Sequence, residues 1–186
     1  KKRRYFVYNL KDIMLGAEVR LKDYRWVNHI VLEYLYSQYQ SGPIYHDHTK
    51  NISDHIGGRD RFYNHGIYTG WQHWGQAIGN PLYTAPLYNT DGRINFQNNR
   101  FTAYHVGLSG HPTDQIDYRL LATYQAGLGT YDNPFTKTRR NVSTMLEVNC
   151  RLGRGWKITG AYGMDLGGLL KHNYGGQLTI SKTGII

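Results

Sequence analysis

Apolar and polar residues alternate along most of this chain with a period of two. From Ile116 the even positions read Ile116, Tyr118, Leu120, Ala122, Tyr124, Ala126 and Leu128, whereas the odd ones carry Asp117, Arg119, Thr123, Gln125, Gly127 and Gly129. Successive side chains of a β-strand point to opposite faces, so this segment has one greasy and one wet face. The next segment repeats the pattern, with Val142, Thr144, Leu146, Val148, Cys150 and Leu152 opposed by Ser143, Glu147, Asn149 and Arg151, and with Met145 as the exception. Nearer the N-terminus, Ile13, Leu15, Ala17, Val19 and Leu21 oppose Gly16, Glu18, Arg20 and Lys22, and Ile30, Leu32, Tyr34 and Tyr36 oppose His29 and Glu33. Weaker alternation marks 3–10, 100–109, 156–165 and 174–182. The pattern therefore predicts an all-β chain of about eight strands.

The connections alternate in length as well. Those at 22–25, 110–115 and 153–155 are short, whereas those at 38–99, 131–140 and 166–173 are longer. Tight turns at one end and extended loops at the other are the habit of an antiparallel up-and-down transmembrane β-barrel of the outer membrane, and they place the C-terminus on the periplasmic side. A soluble antiparallel sandwich gives the same alternation with its greasy face turned to a core, and periodicity does not tell inward from outward. Strands of ten or more residues, where soluble ones run to about five or six, and Tyr or Trp near strand ends favour the membrane.

Composition sharpens the choice. Mean hydropathy is −0.60, and no run of eighteen apolar residues exists to make a transmembrane helix. Barrel strands need only about 9–11 residues each, so this leaves a barrel open. Seventeen Tyr, four Trp and 22 Gly against five Phe suit aromatic girdles and tight turns. The net charge of +9 is compatible with nucleic acid, anionic lipid or an acidic polymer as partner and does not choose among them. No groove-reading or base-stacking fold can be built from these strands, so nucleic acid is not expected. Cys150, the single cysteine, cannot form an internal disulfide and falls on the greasy face, where a thiolate is disfavoured. The chain opens on Lys1, Lys2, Arg3 and Arg4 without an apolar leader, and is expected to be a piece of something longer.

The connection at 38–99 is too long for a structureless loop in a compact domain, so it is either functional or folded on itself. It mixes Gly and Asn turn-formers with Arg59, Asp60, Arg61, Tyr63, Asn64, His65, Tyr68, Trp71, Gln72 and Trp74. Aromatic faces stack on pyranose rings, amides and carboxylates bond paired hydroxyls, and Arg grips an acidic sugar's carboxylate. Arg59, Asp60, Tyr63, Asn64, His65, Tyr68, Trp71 and Trp74 are thus the candidate saccharide-binding residues. The bland alternative is that these aromatics pack the loop against a barrel wall or plug its lumen.

Tyr63, Asn64, His65, Gly66 and Tyr68, followed by Gly70, Trp71, Gly75, Ile78, Gly79, Pro81 and Leu82, resemble the signature of the capsule-assembly (Wzi) family of Bacteroidetes-type outer-membrane proteins. The resemblance extends upstream through LEYLYSQYQSGP at 32–43 and downstream through NNRFTAYHVGLSG at 98–110 and DYRLLATYQAGLGTY at 117–131, about two thirds of the chain. It implies that residues 1–186 are the C-terminal portion of an outer-membrane barrel larger than eight strands. That barrel would be a monomeric, non-catalytic surface lectin that anchors or organises capsular or exopolysaccharide in the bacterial outer membrane. Two departures stand out: the family's earlier strands are missing, which would leave unpaired edges, and the chain ends in Ile185 and Ile186 without a terminal aromatic.

Other chemistry fares less well. His46, Asp47, His48, Asp54 and His55 match no closed metal-site spacing, so neither metal nor cofactor is expected. Gly107, Leu108, Ser109 and Gly110 end a strand rather than opening a helix, unlike a nucleophile elbow. A glycan hydrolase would need facing carboxylates, such as Asp60 with Glu33 or Asp91. A passive outer-membrane channel remains the alternative from another class, with the same loop as its constriction. Lys137, Arg139 and Arg140 could meet lipopolysaccharide phosphates or an acidic capsule, or simply form a solvated surface.

Overall fold

The computed structural model describes residues 11–45, 56–59, 61–65 and 67–184, with side chains for all but 41–45 and 56–59. The fold is all-β. In chain order its strands are β1 Ile13–Arg20, β2 His29–Tyr36, β3 Ser41–Tyr45, β4 Ile56–Arg59, β5 Gln72–His73, β6 Gln76–Ala77, β7 Arg100–Gly110, β8 Ile116–Gly129, β9 Pro134–Gly153, β10 Trp156–Gly167 and β11 Asn173–Lys182. Among the described residues the only helical segment is a 3₁₀ turn at Pro86–Tyr88. Seven strands make one antiparallel sheet in the order β1-β2-β7-β8-β9-β10-β11, while β3 pairs with β4 and β5 with β6 in separate ribbons. The sheet is not closed among the described residues: β1 and β11 are its two edges.

Seven of the alternating segments are thus strands, and the eighth, at 3–10, lies outside the described residues. The main difference is at β9, which begins at Pro134 inside the expected connection at 131–140. Thr136, Lys137 and Thr138 carry no apolar alternation, yet β-branched threonines suit an extended backbone.

Two compact units divide the chain, and each is described by itself. One holds Leu15–Tyr34, Tyr104–Gln125 and Arg140–Ile186; the other holds Leu35–Ala103 and Ala126–Arg139 with the residues up to Met14.

In the unit carrying most of the sheet the register keeps like with like. Ile158 lies opposite Cys150 and Ile180, Tyr162 opposite Leu146, and Leu166 opposite Val142, whereas Thr159 lies opposite Asn149 and Thr179, and Asp165 opposite Ser143 and Asn173. The two faces differ in a way periodicity alone could not decide. The apolar face is the exposed one: Tyr104, Val106, Leu120, Tyr124, Leu146, Val148, Tyr162 and Leu178 all stand in the open. The polar face is the knitted one. Asn149 is 6% exposed and Asn141 2%; Asn149 donates to Asp117 at 2.8 Å, Thr159 to Asn149 at 2.6 Å and Ser143 to Asp165 at 2.6 Å. Cross-strand ion pairs join Arg151 to Asp117 at 2.6 Å and Arg119 to Glu147 at 3.1 Å. Glu18 binds both Arg20 and His29. This is the reverse of a soluble sandwich, where the apolar face is the buried one.

The other unit contains the long connection, which folds on itself. Its core is Tyr83, Phe96, Phe101 and Ala103, with Leu35, Phe62, Tyr63, Ala77 and Leu82 packed around it. Phe101 and Ala103 are alternate residues of β7, so the connection rests on one face of the first residues of that strand. Asn98 presses against Gly127 of β8, where an added Cβ would fall 2.5 Å from its Oδ1.

Candidate functional site

The expected saccharide-binding residues separate into a supporting set and an exposed set. Tyr63 is a hub of the loop. Its ring stacks on Tyr83 at 3.9 Å and meets Phe96 edge-on at 5.2 Å; its hydroxyl accepts the Asn80 N–H at 2.8 Å, and its carbonyl accepts the Trp71 N–H at 3.0 Å. The left-handed φ of 69° at Tyr63 is sustained by these contacts, since a non-glycine residue there needs surrounding structure to hold it. Gly70 packs against the same carbonyl so closely that a Cβ would sit 2.0 Å from it, which explains a glycine at this point of the motif.

Asn64 acts as a surrogate peptide group. Its Nδ2 donates to the Phe96 carbonyl at 2.9 Å, and its Oδ1 accepts the Phe96 N–H at 2.8 Å. One side-chain amide thereby satisfies both backbone groups of a fully buried residue, which would otherwise cost free energy. Asn99 adds a bond to the Phe62 carbonyl at 3.1 Å, and Arg61 pairs with Asp132 at 2.6 Å. Tyr83 is buried in this core, and burial pushes its phenol up to about 12.

The exposed set stands on this support. His65 and Tyr68 stack face to face at 3.8 Å, with Tyr68 well exposed. Trp71 is exposed at the start of the β5–β6 hairpin, and Trp74, 88% exposed, lies at its tip. The two tip residues, Trp74 and Gly75, have φ of 49° and 80°, the pair of positive values a two-residue type I′ turn requires. Asn is the usual non-glycine occupant, and a bulky aromatic in this conformation costs on the order of 1–2 kcal/mol. The hairpin is braced by the Gly75 N–H donating to Gln72 Oε1 at 2.6 Å and by the Leu87 N–H donating to the Gly75 carbonyl at 2.9 Å. The side chains of Arg59 and Asp60 fall outside the described residues, as do those of His46, Asp47, His48, Asp54 and His55.

Sequence reasoning missed a second polar feature. In the other unit, a cavity of about 590 Å³ is lined by the Arg119–Glu147 and Arg151–Asp117 pairs together with Asn28, His111 and Asn149. Asn28 is bonded to the His111 ring at 2.8 Å, and Arg25 pairs with Asp114 at 3.2 Å. Each charge here has a partner, so the cavity wall is electrostatically balanced. Among the described residues no group of three or more His, Cys, Asp or Glu is placed to hold a metal ion. Glu33 and Asp91 belong to different units; Asp91 accepts from Gln97 at 3.0 Å and pairs with Arg93.

Compared with protein-family models, with curated proteins and with solved structures, the chain finds no match.

Proposed function

We propose that this chain forms strands of an outer-membrane β-barrel of the capsule-assembly (Wzi) type, which binds capsular or exopolysaccharide at the cell surface and catalyses no reaction. The observation that carries the reading is the reversed sheet: an exposed apolar face backed by a hydrogen-bonded, ion-paired polar face. Lipid is the solvent that suits such a surface, since a spanning barrel turns alternate apolar residues outward and keeps polar ones within. In water a contiguous apolar patch of this extent is an aggregation hazard. The saccharide part of the reading rests on Trp74 and Trp71, held in the open by a braced hairpin at a conformational cost. Rigid, exposed aromatics are what a pyranose stacks on, whereas Tyr63 and Asn64 support that surface from beneath.

The test is retention of acidic capsular polysaccharide by cells producing the protein, comparing wild type with a Trp71→Ala, Trp74→Ala double variant at matched surface levels. Removing two anchoring aromatics is expected to reduce apparent affinity by about tenfold or more. Unchanged retention would make the tryptophans bystanders. The channel reading keeps one supporting observation, the polar wall of balanced charge around the cavity. Conductance of the reconstituted protein separates the two: a large open conductance favours the channel, and a closed bilayer favours the lectin.

A further inference from the structure

We propose that Arg140 and Lys171, with His172 beside them, hold the phosphate of an acylated lipid whose chains lie on the adjoining apolar strand face. The inference rests on the membrane reading above. On β9 the even-numbered residues Val142, Leu146 and Val148 form the exposed apolar face. Arg140 precedes Val142 by two positions, so it projects from that same face about 7 Å further along the strand. Val142 lies opposite Leu166 and Asn141 opposite Gly167, which together make the last paired rows before β10 ends. The chain then folds back on the end of β9. The Gly168 N–H donates to the Arg140 carbonyl at 2.7 Å, and the Leu170 N–H donates to Asn141 Oδ1 at 3.3 Å. Lys171 and His172 follow directly, and both are exposed. Next comes Tyr174, opposite Met164 and again on the apolar face.

The charge at this rim is uncompensated. On the polar face Arg119 and Arg151 each have a carboxylate within 3.1 Å, and near the short turns Arg25 has Asp114. Arg140 and Lys171 have no carboxylate partner among the described residues. Neither stretch 134–142 nor stretch 166–174 contains an Asp or Glu. Two uncompensated cations and an imidazole thus stand where an apolar surface ends. Basic side chains at such a boundary keep their stems on the apolar side and their charge among headgroups. An acidic polysaccharide would satisfy the charge alone; a phosphorylated lipid satisfies the charge and covers Val142 and Leu166 as well.

The experiment presents the full chain with phosphatidylcholine vesicles containing diphosphoryl lipid A or its dephosphorylated form. It reads membrane association by flotation and co-purified lipid by native mass spectrometry. The phosphorylated lipid is expected to be retained preferentially. An Arg140→Gln, Lys171→Gln double variant should lower that retention about fivefold for each cation removed, while Lys22→Gln, in the β1–β2 turn, should leave it unchanged. A chain that does not float overturns the membrane reading and this site with it. A chain that floats but retains both lipid forms equally, or whose double variant matches wild type, overturns the phosphate site alone. Preferential capture of soluble hyaluronate by the same residues, competing lipid A away, overturns the lipid occupant.

Discussion

At the scale of single residues, the loop is organised by side chains doing the work of backbone. Asn64 bonds both the N–H and the C=O of Phe96, so Asn64→Ala should strand two polar groups beside a fully buried ring. The expected loss is about 1–3 kcal/mol, to be read as a lower denaturant midpoint together with faster amide exchange at Phe96; unchanged exchange there would refute the role. The motif around Tyr63, Asn64, Gly70 and Trp71 was visible as a chemically distinctive stretch, but the division of labour within it was not. A tyrosine that stacks under a loop and a tryptophan that stands out of it look alike in sequence. What separates them here are contacts between residues 17 to 33 positions apart, such as Tyr63 with Asn80 and Phe96. A positive φ does not separate them either, since both Tyr63 and Trp74 have one.

At the scale of elements, the strands were legible because their signal is local: an alternation within ten residues needs no knowledge of the partner. The same reasoning fails for β3 to β6 and for the first third of β9, which are too short or too polar to alternate. The connection at 38–99 behaves as an element in its own right, with a core that should respond to pH as one. An unfolded tyrosine ionises near pH 10, whereas burial holds Tyr83 neutral up to about 12. Its contribution to loop stability is therefore complete below about pH 10 and is lost as pH rises through about 12. The expected outcome is a late step in tyrosine absorbance that coincides with loss of Trp71 and Trp74 fluorescence anisotropy. In a Tyr83→Phe variant that late step should disappear.

At the scale of the whole molecule, the decisive property is which way the greasy face looks, and no count of alternation could supply it. Leu146 illustrates the stakes. In a water-exposed sheet Leu146→Lys would be close to neutral, whereas in a bilayer a lysine near the midplane costs about 2–4 kcal/mol. The reconstituted protein should show that loss as a shifted unfolding midpoint in vesicles, and a shift below about 0.5 kcal/mol would speak for a soluble sheet. The order of the strands has a kinetic consequence too. Strands β8 to β11 pair only with their neighbours in sequence, but β7 also meets β2 across the entire loop, with Ser37 bonded to Phe101, 64 residues away. Contacts of such separation must wait for loop-closure entropy to be offset, so local hairpins form first. The loop's own core, which packs Phe62, Tyr63 and Leu82 against Tyr83, Phe96, Phe101 and Ala103, is the part of the structure able to do that offsetting. Folding of the loop is therefore expected to precede pairing of β2 with β7, so that the exposed Trp71 and Trp74 are already in place when that ladder forms.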